Sequence, residues 1–152
     1  MEVFRISRTG FAGRLEASGY ANRWNLEGQM VIYAASSRAL ATLELLVNRS
    51  NIKPDEDYLM MVISLTLDED AIRNISSNEL PENWRSLRAY ARLQSIGSAW
   101  YKTRKSLVLR LPSAVIPEEY NYMINTKHPD FADKVSLIRK EAYFWDQRLQ
   151  KE

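Results

Sequence analysis

The sequence predicts an α+β fold in a single domain, on three observations. The chain has 152 residues, the length of one ordinary domain. Hydrophobic residues make up 45% and charged residues 26% of it, which is enough apolar material to close a core. Runs rich in Val, Ile, Leu and Tyr are mixed irregularly with two main helical stretches, unlike the regular alternation of a parallel sheet.

Each element has a local reason. Residues 3–6, Val-Phe-Arg-Ile, read as a short strand ahead of a turn at Thr9-Gly10. Residues 13–19 are expected to form a helical turn. Residues 30–35 read as a buried strand rich in Val, Ile and Tyr. Ser36 or Ser37 then caps a helix running to about residue 49. Ala39, Leu40, Leu43, Leu46 and Val47 would share one face of it. Residues 58–67 form a long strand. A second helix is expected from Pro81 to about Tyr101, with Leu87, Ala91 and Gln94 or Ser95 at helical spacing. Leu107, Leu109 and Leu111 alternate along a strand at 106–111. Residues 114–116 are expected to continue it beyond Pro112. Residues 134–145 read as a closing strand, because β-branched and aromatic residues outweigh helix formers there; a helix is the alternative.

Composition removes several chemistries. With no cysteine there is no disulfide, no thiolate metal site and no Cys nucleophile. A single histidine, His128, rules out the usual zinc ligand sets. It lies in Lys127-His128-Pro129-Asp130, a turn-like string, and reads as structural. Arg, Tyr, Glu, Asp, Ser and Thr are left to carry chemistry. The longest apolar stretch, 58–67, is far short of the ~20 residues of a spanning helix. The N-terminus lacks the basic and apolar regions of a signal peptide. A cytoplasmic protein is expected.

Charge is segregated. Between residues 53 and 82 acids dominate, with Asp55, Glu56, Asp57, Asp68, Glu69, Asp70, Glu79 and Glu82. Residues 84–117 hold no acid until after Pro117, but carry Arg85, Arg88, Arg92, Lys102, Arg104, Lys105 and Arg110 among Trp84, Tyr90, Trp100 and Tyr101. Such a segment reads either as a solvated basic face with core aromatics or as a nucleic-acid surface. No Gly-rich phosphate loop and no Gly-x-Ser-x-Gly elbow is present.

The informative region is 22–44. Arg23 follows Asn22 and precedes Trp24; it would either grip a diphosphate or lie on the indole. Tyr33 sits in an apolar strand, as a core tyrosine or a stacking surface. Glu44, between Leu43 and Leu45, stands at the edge of the helix's apolar stripe, either as a partly buried catalytic carboxylate or paired with a base. Ser113 follows Pro112, as a turn residue would. Asn121 and Asn125 flank a short apolar stretch and read as turn caps.

Taken in order, these residues resemble the RES domain family. The resemblance runs through Val3-Phe4-Arg5-Ile6, Arg23-Trp24-Asn25, Gly28, Tyr33, Ala34-x-Ser36-Ser37 and Leu40-Ala41-x-Leu43-Glu44. It continues through Ile96-Gly97-x-x-Trp100, the stretch from Leu107 to Val115, Pro117-x-Glu119-x-Asn121 and Ile124-Asn125-x-x-His128-Pro129-Asp130-Phe131. It covers about residues 3 to 145. Ala21-Asn22 stand where the family often has glycines, and Leu111 where Val is common.

The resemblance implies a fold similar to ADP-ribosyltransferase toxins: a mixed, mainly antiparallel sheet around a cleft. It implies a toxin of a bacterial type II toxin–antitoxin pair that degrades NAD, by hydrolysis or phosphorolysis. NAD would be the substrate, with no further cofactor and no metal. The partner would be an Xre-type helix-turn-helix antitoxin covering the active-site entrance in a hetero-oligomeric complex, with DNA contacted only through the antitoxin. The family's essential residues carry over to Arg23, Tyr33, Glu44 and Ser113. Arg5, Trp24, Asn25, Ser36 and Asn121 are further substrate-binding candidates. The alternative function is an RNA-binding or RNA-cleaving toxin using residues 84–110.

Overall fold

The computed structural model describes residues 1–48 and 57–150. The predicted class is found: three helices and a seven-stranded mixed sheet. The strands are β1 (Glu2–Arg8), β2 (Val31–Ala35), β3 (Tyr58–Leu65), β4 (Ile72–Asn74), β5 (Val108–Pro112), β6 (Tyr120–Asn125) and β7 (Val135–Ala142). The helices are α1 (Arg38–Val47), α2 (Tyr90–Thr103) and the single turn α3 (Phe131–Lys134). The sheet order is β4-β5-β6-β2-β1-β3-β7, antiparallel except for the parallel pair β4–β5.

The sheet is divided in the middle. β1 pairs with β3 along its whole length, Glu2 to Arg8. β2 pairs with β6 over its whole length, Val31 to Ala35. Between β1 and β2, however, the only paired residues are Phe4 and Ala35. Two half-sheets, β4-β5-β6-β2 and β1-β3-β7, therefore part on either side of that pair.

Three apolar clusters hold the halves. The first gathers Val3, Ile32, Met61, Ile63 and Ile124 from both half-sheets. A second joins Trp24, Trp84, Leu93, Trp100, Leu109 and Met123 beneath α2. The third packs Leu40 and Ala41 of α1 on Phe4, Ala35, Met60 and Val62. Each buried aliphatic side chain here contributes on the order of 1.5–3 kcal/mol through area removed from water.

The expected elements need several corrections. Residues 13–19 form no helical turn; a 3-10 turn at Thr9–Phe11 takes that place. α1 is capped by Ser37, whose hydroxyl accepts the Leu40 amide at 3.0 Å. Its buried positions are Leu40 and Ala41, whereas Ala39 and Val47 are exposed. The helix faces the sheet with the flank that also carries Glu44. The acids Asp55 and Glu56 lie outside the described residues.

α2 starts at Tyr90, nine residues after Pro81, because the intervening chain is tied into turns, ending in a 3-10 turn at Leu87–Ala89. Its expected stripe is out of phase. Leu87 is exposed, as are Ala91 and Ser95, while Leu93, Gly97 and Trp100 face the core. That i, i+4, i+7 set is equally good helical spacing. Gly97 is required there, since a Cβ would run into the Trp24 carbonyl.

Residues 114–116 do not extend β5. They belong to a turn closed by Ser113 N–H donating to the Glu119 carbonyl at 2.9 Å. Beyond it runs β6, the strand that the Asn121–Asn125 reading treated as turns. The closing strand is found as β7, ending at Ala142. Among the described residues, no helix is long and apolar enough to cross a membrane.

Candidate functional site

Where the half-sheets part lies a cleft of about 670 Å³, within the size range of small-molecule sites. Arg5, Arg23, Tyr33, Glu44, Arg85 and Asn121 border it. Among the described residues that border it, three guanidinium groups stand with one carboxylate, an excess of positive charge.

Glu44 is delivered by α1 and fixed from the opposite half-sheet. Its Oε1 accepts from Ser113 Oγ at 2.7 Å and from Asn121 Nδ2 at 2.6 Å. Ser113 is fully buried at the end of β5. Its hydroxyl oxygen also accepts the amides of Val115 at 3.0 Å and Ile116 at 3.2 Å. A hydroxyl has one proton to give and two lone pairs. All three are used, so Ser113 can only donate to Glu44. The single proline-flanked serine thus acts as more than a turn residue.

Arg23 does not lie on the Trp24 indole. Its Nη1 donates to the carbonyls of Trp84 at 3.2 Å and Arg85 at 3.1 Å. Its guanidinium lies 4.7 Å from the Tyr90 ring centroid, not on Trp24. Trp24 is buried and packs against Trp84 at 6.3 Å between ring centroids. Arg85 donates from Nε to the Ala114 carbonyl at 2.9 Å, tying this loop to the turn after Ser113.

Tyr33 is half-buried at the edge of the cleft. Its hydroxyl donates to Asn25 Oδ1 at 2.6 Å, while its ring borders the cleft. Burial pushes its pKa well above the ordinary phenol value, so it stays protonated. Asn25 is fully buried, and its Nδ2 donates to the carbonyls of Tyr20 and Leu26. It supports the loop from below and is not a wall of the cleft. Arg5 donates from Nη1 to the Tyr33 carbonyl at 3.0 Å, bridging β1 and β2 across the split. Burial lowers its basicity. Ser36 is no wall of the cleft; its amide donates to the Tyr120 carbonyl at 3.0 Å. His128 sits in a turn, accepting the Asp130 amide on Nδ1 at 3.1 Å.

Arg85 and Tyr90 were not singled out as site residues. The sequence signal was there only as membership of the basic–aromatic stretch, which does not distinguish them from Arg88 or Arg92. In that stretch the aromatics are engaged internally. Trp84 and Trp100 are core, Tyr90 carries Arg23, and Tyr101 Oη accepts the Met30 amide at 3.2 Å. None of these four is a free stacking platform for bases. Among the described residues, no group of three or more His, Asp or Glu could hold a metal ion.

The fold and the site define a class: a split α+β sheet with one carboxylate pinned beside a cleft bordered by arginines. Comparison with known proteins gives that class a family. The RES domain model matches residues 2–146. The chain is 33% identical over 134 residues to Toxin Res of Yersinia enterocolitica, covering 88% of this chain and 87% of that one. It is 32% identical over 150 residues to the Prs ADP-ribosylating toxin of a Sphingobium species, covering 94% and 91%. Toxin Res of Photorhabdus laumondii is 28% identical over 155 residues, covering 99% and 98%. The chain belongs to the RES domain family of toxins.

Proposed function

We propose that this toxin cleaves NAD at the nicotinamide–ribose bond. The observation that carries the reading is the one-sided hold on Glu44. Ser113 and Asn121 both bond Oε1, which leaves Oε2 without a hydrogen bond from the described residues and the carboxylate on the cleft wall. Loss of nicotinamide puts positive charge on the ribose, as in other glycoside cleavages. A fixed carboxylate stabilises that charge without reorganising. The electron pair of the broken C–N bond leaves with nicotinamide, which departs neutral and needs no acid. Water or inorganic phosphate then forms the new C–O bond and gives up a proton.

The other residues support the same substrate. Tyr33 offers a protonated aromatic edge for the nicotinamide ring. Arg5, half-buried and without a carboxylate partner among the described residues, suits the diphosphate. Arg23 retains donors beyond those given to the two carbonyls and would add to the diphosphate's grip while holding the 84–85 loop. No metal and no cofactor enters the scheme. An Xre-type antitoxin covering the cleft entrance is the proposed partner, and the cytoplasm is the proposed compartment.

Nicotinamide release from NAD by the purified chain, with and without phosphate, tests the reading. Release by the wild type and none by Glu44→Ala is expected. No turnover by a folded, antitoxin-free wild type would overturn it. A second reading, transfer of ADP-ribose to a protein, draws on the name of the Sphingobium relative. It predicts label from adenylate-labelled NAD in a protein acceptor.

A further inference from the structure

A second cavity, of about 910 Å³, adjoins the first. The two share Arg5, Ile6, Asn22 and Leu45, so they form one groove with Arg5 at its waist. Glu44 stands only in the first cavity. Among the described residues that border the second, the one carboxylate is Glu16, which is paired with Arg14 at 2.6 Å. Its floor is apolar, with Leu15, Ala17, Ile32 and Met61. Two large rings stand at its rim and take no part in the core: Phe11 is 65% exposed, with the Arg8 guanidinium 5.1 Å from its ring centroid, and Tyr20 is 70% exposed.

We infer that the second cavity receives the adenosine end of the dinucleotide, with the diphosphate crossing at Arg5. The inference rests on the NAD reading of the first cavity. Three features carry it. The waist residue is a cation whose charge is desolvated and, among the described residues, unmatched by a carboxylate; an anion placed there relieves both conditions. The substrate's two nucleosides are joined through its diphosphate, as the two cavities meet at Arg5, which borders both. Exposed rings above an apolar floor provide a stacking surface for a purine.

Binding of ADP and of nicotinamide mononucleotide to the purified full chain, measured by calorimetry, tests this without requiring turnover. The double variant Phe11→Ala/Tyr20→Ala is expected to weaken ADP about tenfold or more, given what base stacking contributes. Nicotinamide mononucleotide, which lacks the adenosine, is expected to change by less than about twofold. Tyr20→Phe keeps the ring and is expected to retain most of the ADP affinity. Both residues are exposed, so the variants keep the core. ADP affinity unchanged in the double variant would overturn the assignment, as would no ADP binding by the wild type. If ADP binding falls as expected while the wild type releases no nicotinamide, the nucleotide subsite stands and the cleavage reading falls.

Discussion

Ser113 holds Glu44 through a hydrogen bond whose direction is fixed: the serine proton points to Oε1 because both lone pairs of the hydroxyl are taken by the Val115 and Ile116 amides. One buried side chain thereby joins the end of β5, the turn that follows it and the carboxylate on α1. Replacing Ser113 by Ala removes the donor and strands two amides. A stability loss of about 1–3 kcal/mol is expected from their desolvation, read as a lower urea midpoint, together with reduced turnover.

Glu44→Gln keeps the shape and an acceptor for Ser113 but removes the charge. Nicotinamide release is expected to fall by about 100-fold or more, the scale for loss of a transition-state electrostatic contact. An unchanged circular dichroism spectrum and midpoint would accompany it.

Arg5→Met separates stability from binding. The apolar stem is kept and a poorly solvated cation is removed. The urea midpoint is expected to hold or rise, even with the bond to the Tyr33 carbonyl gone. Nucleotide affinity is expected to fall by about tenfold or more.

How much of this was legible beforehand differs element by element. β2 and β3 are apolar runs rich in β-branched residues, and their places followed directly. β6 is hard to read in sequence because Asn121 and Asn125 bracket only a short apolar core, and pairing with β5 on one side and β2 on the other decides its conformation more than its residues do. α2 is legible but its rotation is not, since Leu87–Ala91–Gln94 and Leu93–Gly97–Trp100 are both helical stripes, and packing on Trp24, Leu109 and Met123 selects the second. At the site, Arg23, Tyr33, Glu44 and Asn121 come from four separate segments and meet only through the sheet. Their residue types pointed to them; the shared hold on Oε1 did not follow from any spacing.

Gly97→Ala tests that contact. The added methyl meets backbone, which cannot rotate away. A cost of about 1–3 kcal/mol or more is expected from overpacking, measured by denaturant unfolding. Turnover should fall with it, because the displaced segment carries Arg23.

The other end of α1 is held by charge. Arg38 donates to both Glu141 oxygens, from Nε at 2.9 Å and Nη2 at 2.6 Å, and Arg139 joins Glu141 to Glu2. The Arg38 bond, then that of Arg139, brings the Glu141 pKa from 4.5 down to about 2. A carboxylate with a depressed folded pKa stabilises the fold above its unfolded pKa, and that contribution is lost as pH falls toward 2. Thermal midpoints between pH 5 and pH 2 are therefore expected to drop less steeply in Glu141→Gln than in the wild type. The pair is exposed, so salt is expected to shrink the difference.

The lone Phe4–Ala35 pairing has a mechanical meaning. Each half-sheet is a stiff plate, cross-linked along full strands, and the plates are seamed at one stitch and one guanidinium. Bending strain gathers at such a seam and not within the plates. Amide hydrogens on the facing edges of β1 and β2 should exchange with solvent well before those shared by β2 and β6 or by β1 and β3, and a ligand spanning the seam would rivet it shut.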